Sequence, residues 1–338
     1  MVMLVIMVMG ALTFLVSSLS SSALKNARQE KTVASLAQAK EALVGYAITY
    51  GDFHANQVHG YLPCPDTDAG NGEGSSKLSC NGKNVSSIGR LPWKTLGLPQ
   101  LRDGDGECLW YAVSGTYKYN PKTDLMNWDN NGLLEILDAS GAPTAQKVVA
   151  VVIAPGAAFG SQSRAADGTA PTCGGNYTAS NYLDSNATIG ANNAITSTVA
   201  NASSKYFTAD TTANINDQII FITISDIFNA IKKRNDFSIF VATLLNAAET
   251  CASQPVTINF DTTPPTEAPG GTIGSLTIGR VPKTCLASPL DNWQDNLIYA
   301  KCTSANCLSV NGTGCNGVVI FSGEGNIPQT RIFNTDKN

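Results

Sequence analysis

The sequence predicts an α+β protein: a long N-terminal α-helix followed by a mainly antiparallel β head with short helices. Three observations carry that prediction. Residues 1–50 run from an apolar half (1–24) into an amphipathic half (25–50) with no turn signal between them. The remainder, 51–338, sets short β-branched and aromatic runs between Gly, Asn and Pro clusters. Only 14% of the 338 residues are charged, and polarity rests on Asn, Ser, Thr and 30 Gly, a composition suited to an exported, loop-rich β domain.

The first element is read from its lack of charge. Residues 1–24 carry none, and the first 16 are apolar apart from Gly10 and Thr13, which is membrane-compatible. Four of the five Met fall here, at Met1, Met3, Met7 and Met9, and can pack flexibly against lipid or neighbouring helices. From Lys25 onward the composition turns to Ala, Lys, Glu and Gln, so one helix is expected to continue to Tyr50. Val33, Leu36, Ala37, Leu43, Val44, Ala47 and Ile48 fall at three- and four-residue spacing and are expected to form the stripe that buries against the head. Fifty helical residues would span roughly 75 Å.

Charge and cysteine content bound the partners. A formal net charge of -4 offers no basic field for polyphosphate, so nucleic acid is not a required partner. Nine cysteines without paired C-x-x-C spacing read as disulfides outside the cytosol, with one thiol left over. Lys25, Arg28 and Lys31 just after the apolar run would by themselves hold that side in the cytoplasm. The conflict is resolved if a basic leader preceded Met1 and was removed on the cytoplasmic face.

In this pattern residues 1–50 resemble the type IV pilins and pseudopilins: an uncharged half-helix, an amphipathic half-helix, then a disulfide-bearing head. The head also resembles prepilin-type proteins through LPCPDTDAGNGEG at 62–74, GRLPWKTLGLPQLRDGDGECLWYAVS at 89–114 and VVAVVIAPGAAFGSQSR at 148–164. The resemblance implies a homopolymer built through N-terminal helices, residence in the inner membrane before assembly, and then an extracellular filament. It also implies a prepilin peptidase and pilus assembly machinery as partners. The filament core would include Met1, Val5, Val8, Leu12 and Leu15. Val5 stands where major pilins carry Glu, so packing rather than an ion pair would set the register of neighbouring helices.

Along the head, 51–92 is a Pro, Gly and Asn-rich exit from the helix, and Cys64 and Cys80 bracket a loop that a local disulfide could close. LWYAVS at 109–114, KVVAVVIA at 147–154 and QIIFITI at 218–224 read as strands. The stretch around 157–217, mostly Ser, Thr, Asn, Ala and Gly, is expected to be an irregular surface insertion. Ser225 or Asp226 is expected to cap the helix DIFNAIKKR, and Asn235 or Asp236 a second helix through FSIFVATLLNAAETC. VTINF, LIYAK and GVVIF supply the late strands.

Three acidic turns have the oxygen-rich composition that calcium requires. Asp66, Asp68, Asn71 and Glu73 form the first, and Asp103, Asp105 and Glu107 the second. In the third, Asn127, Asp129, Asn131 and Asp138 come nearest to calcium-loop spacing. Hydrogen-bonded turns are the simpler reading of all three, and calcium is the one cofactor the sequence suggests. His54 and His59, five apart, do not share a helical face and are expected to be polar surface residues. No nucleophile elbow or phosphate loop is present. Trp93, Trp110, Trp128 and Trp293 are expected in the core rather than on a sugar platform. The expectation is a non-enzymatic structural subunit of a type IV pilus-like filament. The alternative is a minor or tip pilin, or a type II secretion pseudopilin, whose head binds a surface, DNA or exported cargo.

Overall fold

The computed structural model describes residues 2–208, 215–252, 271–273, 276–281 and 285–324, with side chains from Ser22 onward except at 69, 252, 271–273, 277 and 280. Helix α1 spans Val2–Phe53. Residues 22–31 are exposed, with Arg28 and Gln29 reaching Asp105 and Gln218 of the head, and burial begins at Thr32. The buried seam then runs Leu36, Ala39, Leu43, Ala47 and Tyr50, the spacing of one helical face. Val33, expected in that stripe, is 53% exposed. The face is centred about one residue from where hydrophobicity alone placed it, because the small Ala39 and the hydroxyls of Thr32 and Ser35 lie against the head.

That face packs on a four-stranded antiparallel sheet of order β1 (Ser87–Arg90), β2 (Trp110–Val113), β5 (Ala150–Ala154) and β9 (Gln218–Ile222). Tyr111, Val113, Val152 and Ala154 face α1, while Trp110, Ala112, Val151 and Ile153 point the other way. The second face is covered by a three-stranded sheet of order β4 (Pro143–Val148), β3 (Leu134–Leu137) and β8 (Ser204–Phe207). Burial on both sides explains why β2 and β5 are continuous apolar runs rather than alternating ones. The single strand expected at 147–154 is split in two, since β4 ends at Val148 and β5 begins at Ala150, and Lys147, at φ 57, lies where the register of β4 against β3 shifts.

Strand β8 pairs in parallel with β3 and comes from the 157–217 stretch, as does the small ladder β6 (Ser185–Asn186) and β7 (Ala191–Asn192). This segment is therefore not simply an irregular surface insertion. It buries Tyr182, Leu183, Tyr206 and Phe207, and its runs are too short for periodicity to show. Asp184, Asn193 and Asp217 are buried with it, held by hydrogen bonds to backbone and to one another.

Helix α2 (Ile224–Lys232) is capped by Thr223, two residues before Ser225 and three before Asp226, the expected caps. The Thr223 hydroxyl accepts from the Asp226 N–H, and the Asp226 carboxylate accepts from the Thr223 N–H, a capping box that fixes the start. Helix α3 (Phe237–Ala252) follows. A third antiparallel sheet comprises β10 (Gly271–Ile273), β11 (Leu276–Arg280), β12 (Leu297–Cys302) and β15 (Gly317–Phe321), with β15 against α3. The hairpin β13 (Leu308–Val310) and β14 (Thr313–Cys315) extends beyond it. VTINF lies outside the described residues.

Four cysteine pairs lie at bonding distance: Cys64 and Cys80 (2.00 Å), Cys108 and Cys173 (2.09 Å), Cys251 and Cys285 (2.01 Å), and Cys302 and Cys307 (2.14 Å). Cys315 is the ninth and is free.

Candidate functional site

The lower part of α1 is fixed to the head by polar contacts around a buried carboxylate. Asp103, fully buried, accepts from the Asp105 and Glu107 N–H groups through Oδ1 (2.9 Å each) and from the Gly156 N–H through Oδ2 (2.9 Å). Burial pushes its carboxyl above the usual value against the pull of these three donors. The turn so formed lies on α1: the Gly104 N–H donates to Thr32 Oγ1 (2.9 Å), and Ser35 Oγ donates to the Arg102 carbonyl (2.8 Å). A Cβ on Gly104 would stand 2.2 Å from the Arg28 carbonyl oxygen, so only glycine allows this approach. Arg28 reaches Asp105 (3.2 Å), and Lys40 donates to the Phe221 carbonyl and Asp226 (3.0 Å each).

The two other distinctive head segments also meet. Asp66 and Arg90 exchange backbone hydrogen bonds (3.0 and 2.7 Å), and Gly74, at φ +80, leaves room for the Trp93 ring. Arg90 is buried, donates to the Gly174 and Asn176 carbonyls, and lies 5.1 to 5.6 Å from the rings of Tyr182, Tyr177 and Trp110. Glu73 accepts from the Thr172 and Cys173 N–H groups. Asp66, Glu73 and Asp103 thus organise backbone, while Asp68, Asp105 and Glu107 pair with Lys77, Arg28 and Arg164.

At the C-terminal end of α1 a cleft of about 120 Å³ opens between α2, α3 and the 3-10 helix Leu290–Asn296. Phe228, Ile231, Phe237, Phe240 and Trp293 line it, and His59, Arg234 and Asp236 stand at its mouth. Arg234 donates to the Ile48 carbonyl (3.0 Å), to both oxygens of Asp52 (2.9 and 2.8 Å) and to both of Asp236 (3.0 and 2.8 Å). It thereby joins α1, near its C-terminal end, to the link between α2 and α3. Ligand atoms of Asp52, His59 and Asp236 lie within 4.8 Å of one another.

Searches against family models, curated proteins and solved structures find no match. The chain's own geometry carries the functional argument.

In the third acidic turn, Asn127 Oδ1 accepts from the Asp129 N–H (2.9 Å), while its amide donates to the Asn292 carbonyl and Asp295. Asp138 folds back on its own turn, accepting from Ser140 and Ala142, and these bonds hold its carboxyl low. The Asn131 carbonyl accepts from Thr116 (2.7 Å). The side chains of Met1, Val5, Val8, Leu12 and Leu15 lie outside the described residues. Among the described residues no helix is long and apolar enough to cross a membrane. Trp110, Trp128 and Trp293 are buried, and His54 stacks on Tyr50 at 4.0 Å between centroids. Sequence reading missed the cleft because Asp52, His59, Arg234 and Asp236 are distant in the chain, and Arg234 and Asp236 look locally like a helix end and a cap.

Proposed function

We propose that this chain is a structural subunit of a type IV pilus-like extracellular filament and not an enzyme, polymerising through its N-terminal helix after residence in the inner membrane. One observation carries the reading. Helix α1 touches the head from Arg28 onward, is exposed along residues 22–31, and has no charge in its sequence at 1–24. A helix with so long an uncharged apolar run is matched to lipid or to the apolar faces of other helices, and a long helix joined to a globular head suits open head-to-tail assembly. The fixed seam between α1 and the Asp103 turn supports the same reading, since it would transmit load between rod and head.

The test is immunogold electron microscopy of sheared surface fibres with antibody to the head. Label along the whole fibre length is expected. Label confined to tips would favour the tip-pilin alternative, and fibres without label, or none at all, would overturn the proposal.

A further inference from the structure

The cleft at the end of α1 plays no part in the filament reading, and its chemistry is specific. Phe228 and Trp293 are buried at its floor, while Phe237 and Phe240 are half-buried walls. Trp293 lies 5.9 to 6.2 Å from the Phe228, Phe237 and Phe240 rings. An apolar cavity of about 150 Å³ accepts benzene, so a volume near 120 Å³ suits one ring or a compact alkyl group.

The mouth adds two carboxylates gathered on one guanidinium. Asp52 and Asp236 face a single guanidinium, and all five N–H bonds of Arg234 are already engaged. His59 Nδ1 accepts from the Gly51 N–H (3.3 Å). Burial first, and then Arg234, hold the imidazole below its usual value, so it is uncharged at pH 7. Gln57, also at the mouth, has its amide oxygen taken by Lys122. Carboxylate lone pairs outnumber the donors that reach them, so both acids keep accepting capacity at the mouth.

We propose that this cleft binds an organic ammonium whose aryl or compact alkyl body enters between Phe237, Phe240 and Trp293 while its N–H donors reach Asp236. The aromatic faces add cation–π attraction to the carboxylate contact. An organic anion would meet two carboxylates with no free guanidinium donor. A metal ion at Asp52, His59 and Asp236 would have to displace Arg234 from both acids.

Tryptophan fluorescence of the full-length chain in non-ionic detergent, titrated with phenethylammonium, 2-phenylethanol and phenylacetate, tests the proposal. Phenethylammonium is expected to saturate with a Kd of about 1 mM, the alcohol to bind about tenfold more weakly, and phenylacetate not to bind. Asp236→Asn is expected to reduce the ammonium-over-alcohol preference to under about threefold while alcohol binding persists, and Phe240→Ala to weaken both ligands. A response to the ammonium that does not saturate, phenylacetate binding of equal strength, or a preference unchanged in Asp236→Asn would each overturn it.

Discussion

Asp66 shows how much a single side chain owes to its surroundings. It is 1% exposed, and its Oδ2 accepts from the Gly74 N–H (2.7 Å) and the Tyr177 hydroxyl (3.0 Å), while its Oδ1 has no partner. Burial pushes its pKa up to about 6, against those hydrogen bonds and Arg90. Because the folded-state value lies above the unfolded one, this group's contribution is fully present below the unfolded pKa and is lost as pH rises toward 6. Asp66→Asn removes that loss. The melting temperature of the variant relative to the native chain is therefore expected to rise between pH 4 and pH 7.5, measured by thermal denaturation at each pH. At Cys315 the expectation is chemical: alkylation of the folded, non-reduced chain should modify this cysteine alone, read by peptide mapping. The proximity of Cys64 and Cys80 was open to sequence reasoning because a short Gly and Asn-rich loop joins them. The meeting of Cys108 with Cys173, 65 residues apart, depends on how the Asp103 and Gly156 turns are stacked and leaves no local mark.

At the scale of elements, α1 was legible as a helix from composition, but its buried face was only partly so. Hydrophobicity favours Val33, whereas the head receives Thr32, Ser35 and Ala39 because close approach and side-chain hydrogen bonds to the Asp103 turn govern that end. Leu43→Ala, in the fully buried seam, is expected to cost about 2–5 kcal/mol in denaturant unfolding. Val33→Ala should stay within about 0.5 kcal/mol. Gly104→Ala should push the turn off the helix and cost about 1–3 kcal/mol, since the added carbon meets helix backbone rather than a movable side chain. Strands β2, β5, β9, β12 and β15 were visible as apolar runs. Strand β8 was not, because SKYF sits among Asn, Ser and Thr and pairs with β3 in parallel, a non-local choice. The cap of α2 was misplaced by two residues or more because Ser225, Asp226 and Thr223 are all competent cap residues, and only the reciprocal bonds between Thr223 and Asp226 decide among them.

On the scale of the whole molecule, three layers, the buried face of α1, the four-stranded sheet and the three-stranded sheet, form one buried unit. The order of helix before strands in the sequence made the α+β class legible. The aromatic cleft was not, since its walls come from α2, α3 and the 3-10 helix after them. The central claim is that the uncharged residues 1–24 form the core of a filament, with packing rather than an ion pair setting the register. Fibre yield after shearing, scored by electron microscopy for Val8→Asp and Val5→Glu, tests it most directly. A carboxylate amid the apolar segment costs about 2.5–3.5 kcal/mol per copy in the membrane and has no partner in a helix core. Val8→Asp is therefore expected to abolish fibres, while Val5→Glu, at the position where the pilins it resembles carry Glu, retains them. Abundant normal fibres from Val8→Asp would contradict the claim and make the segment a membrane anchor alone.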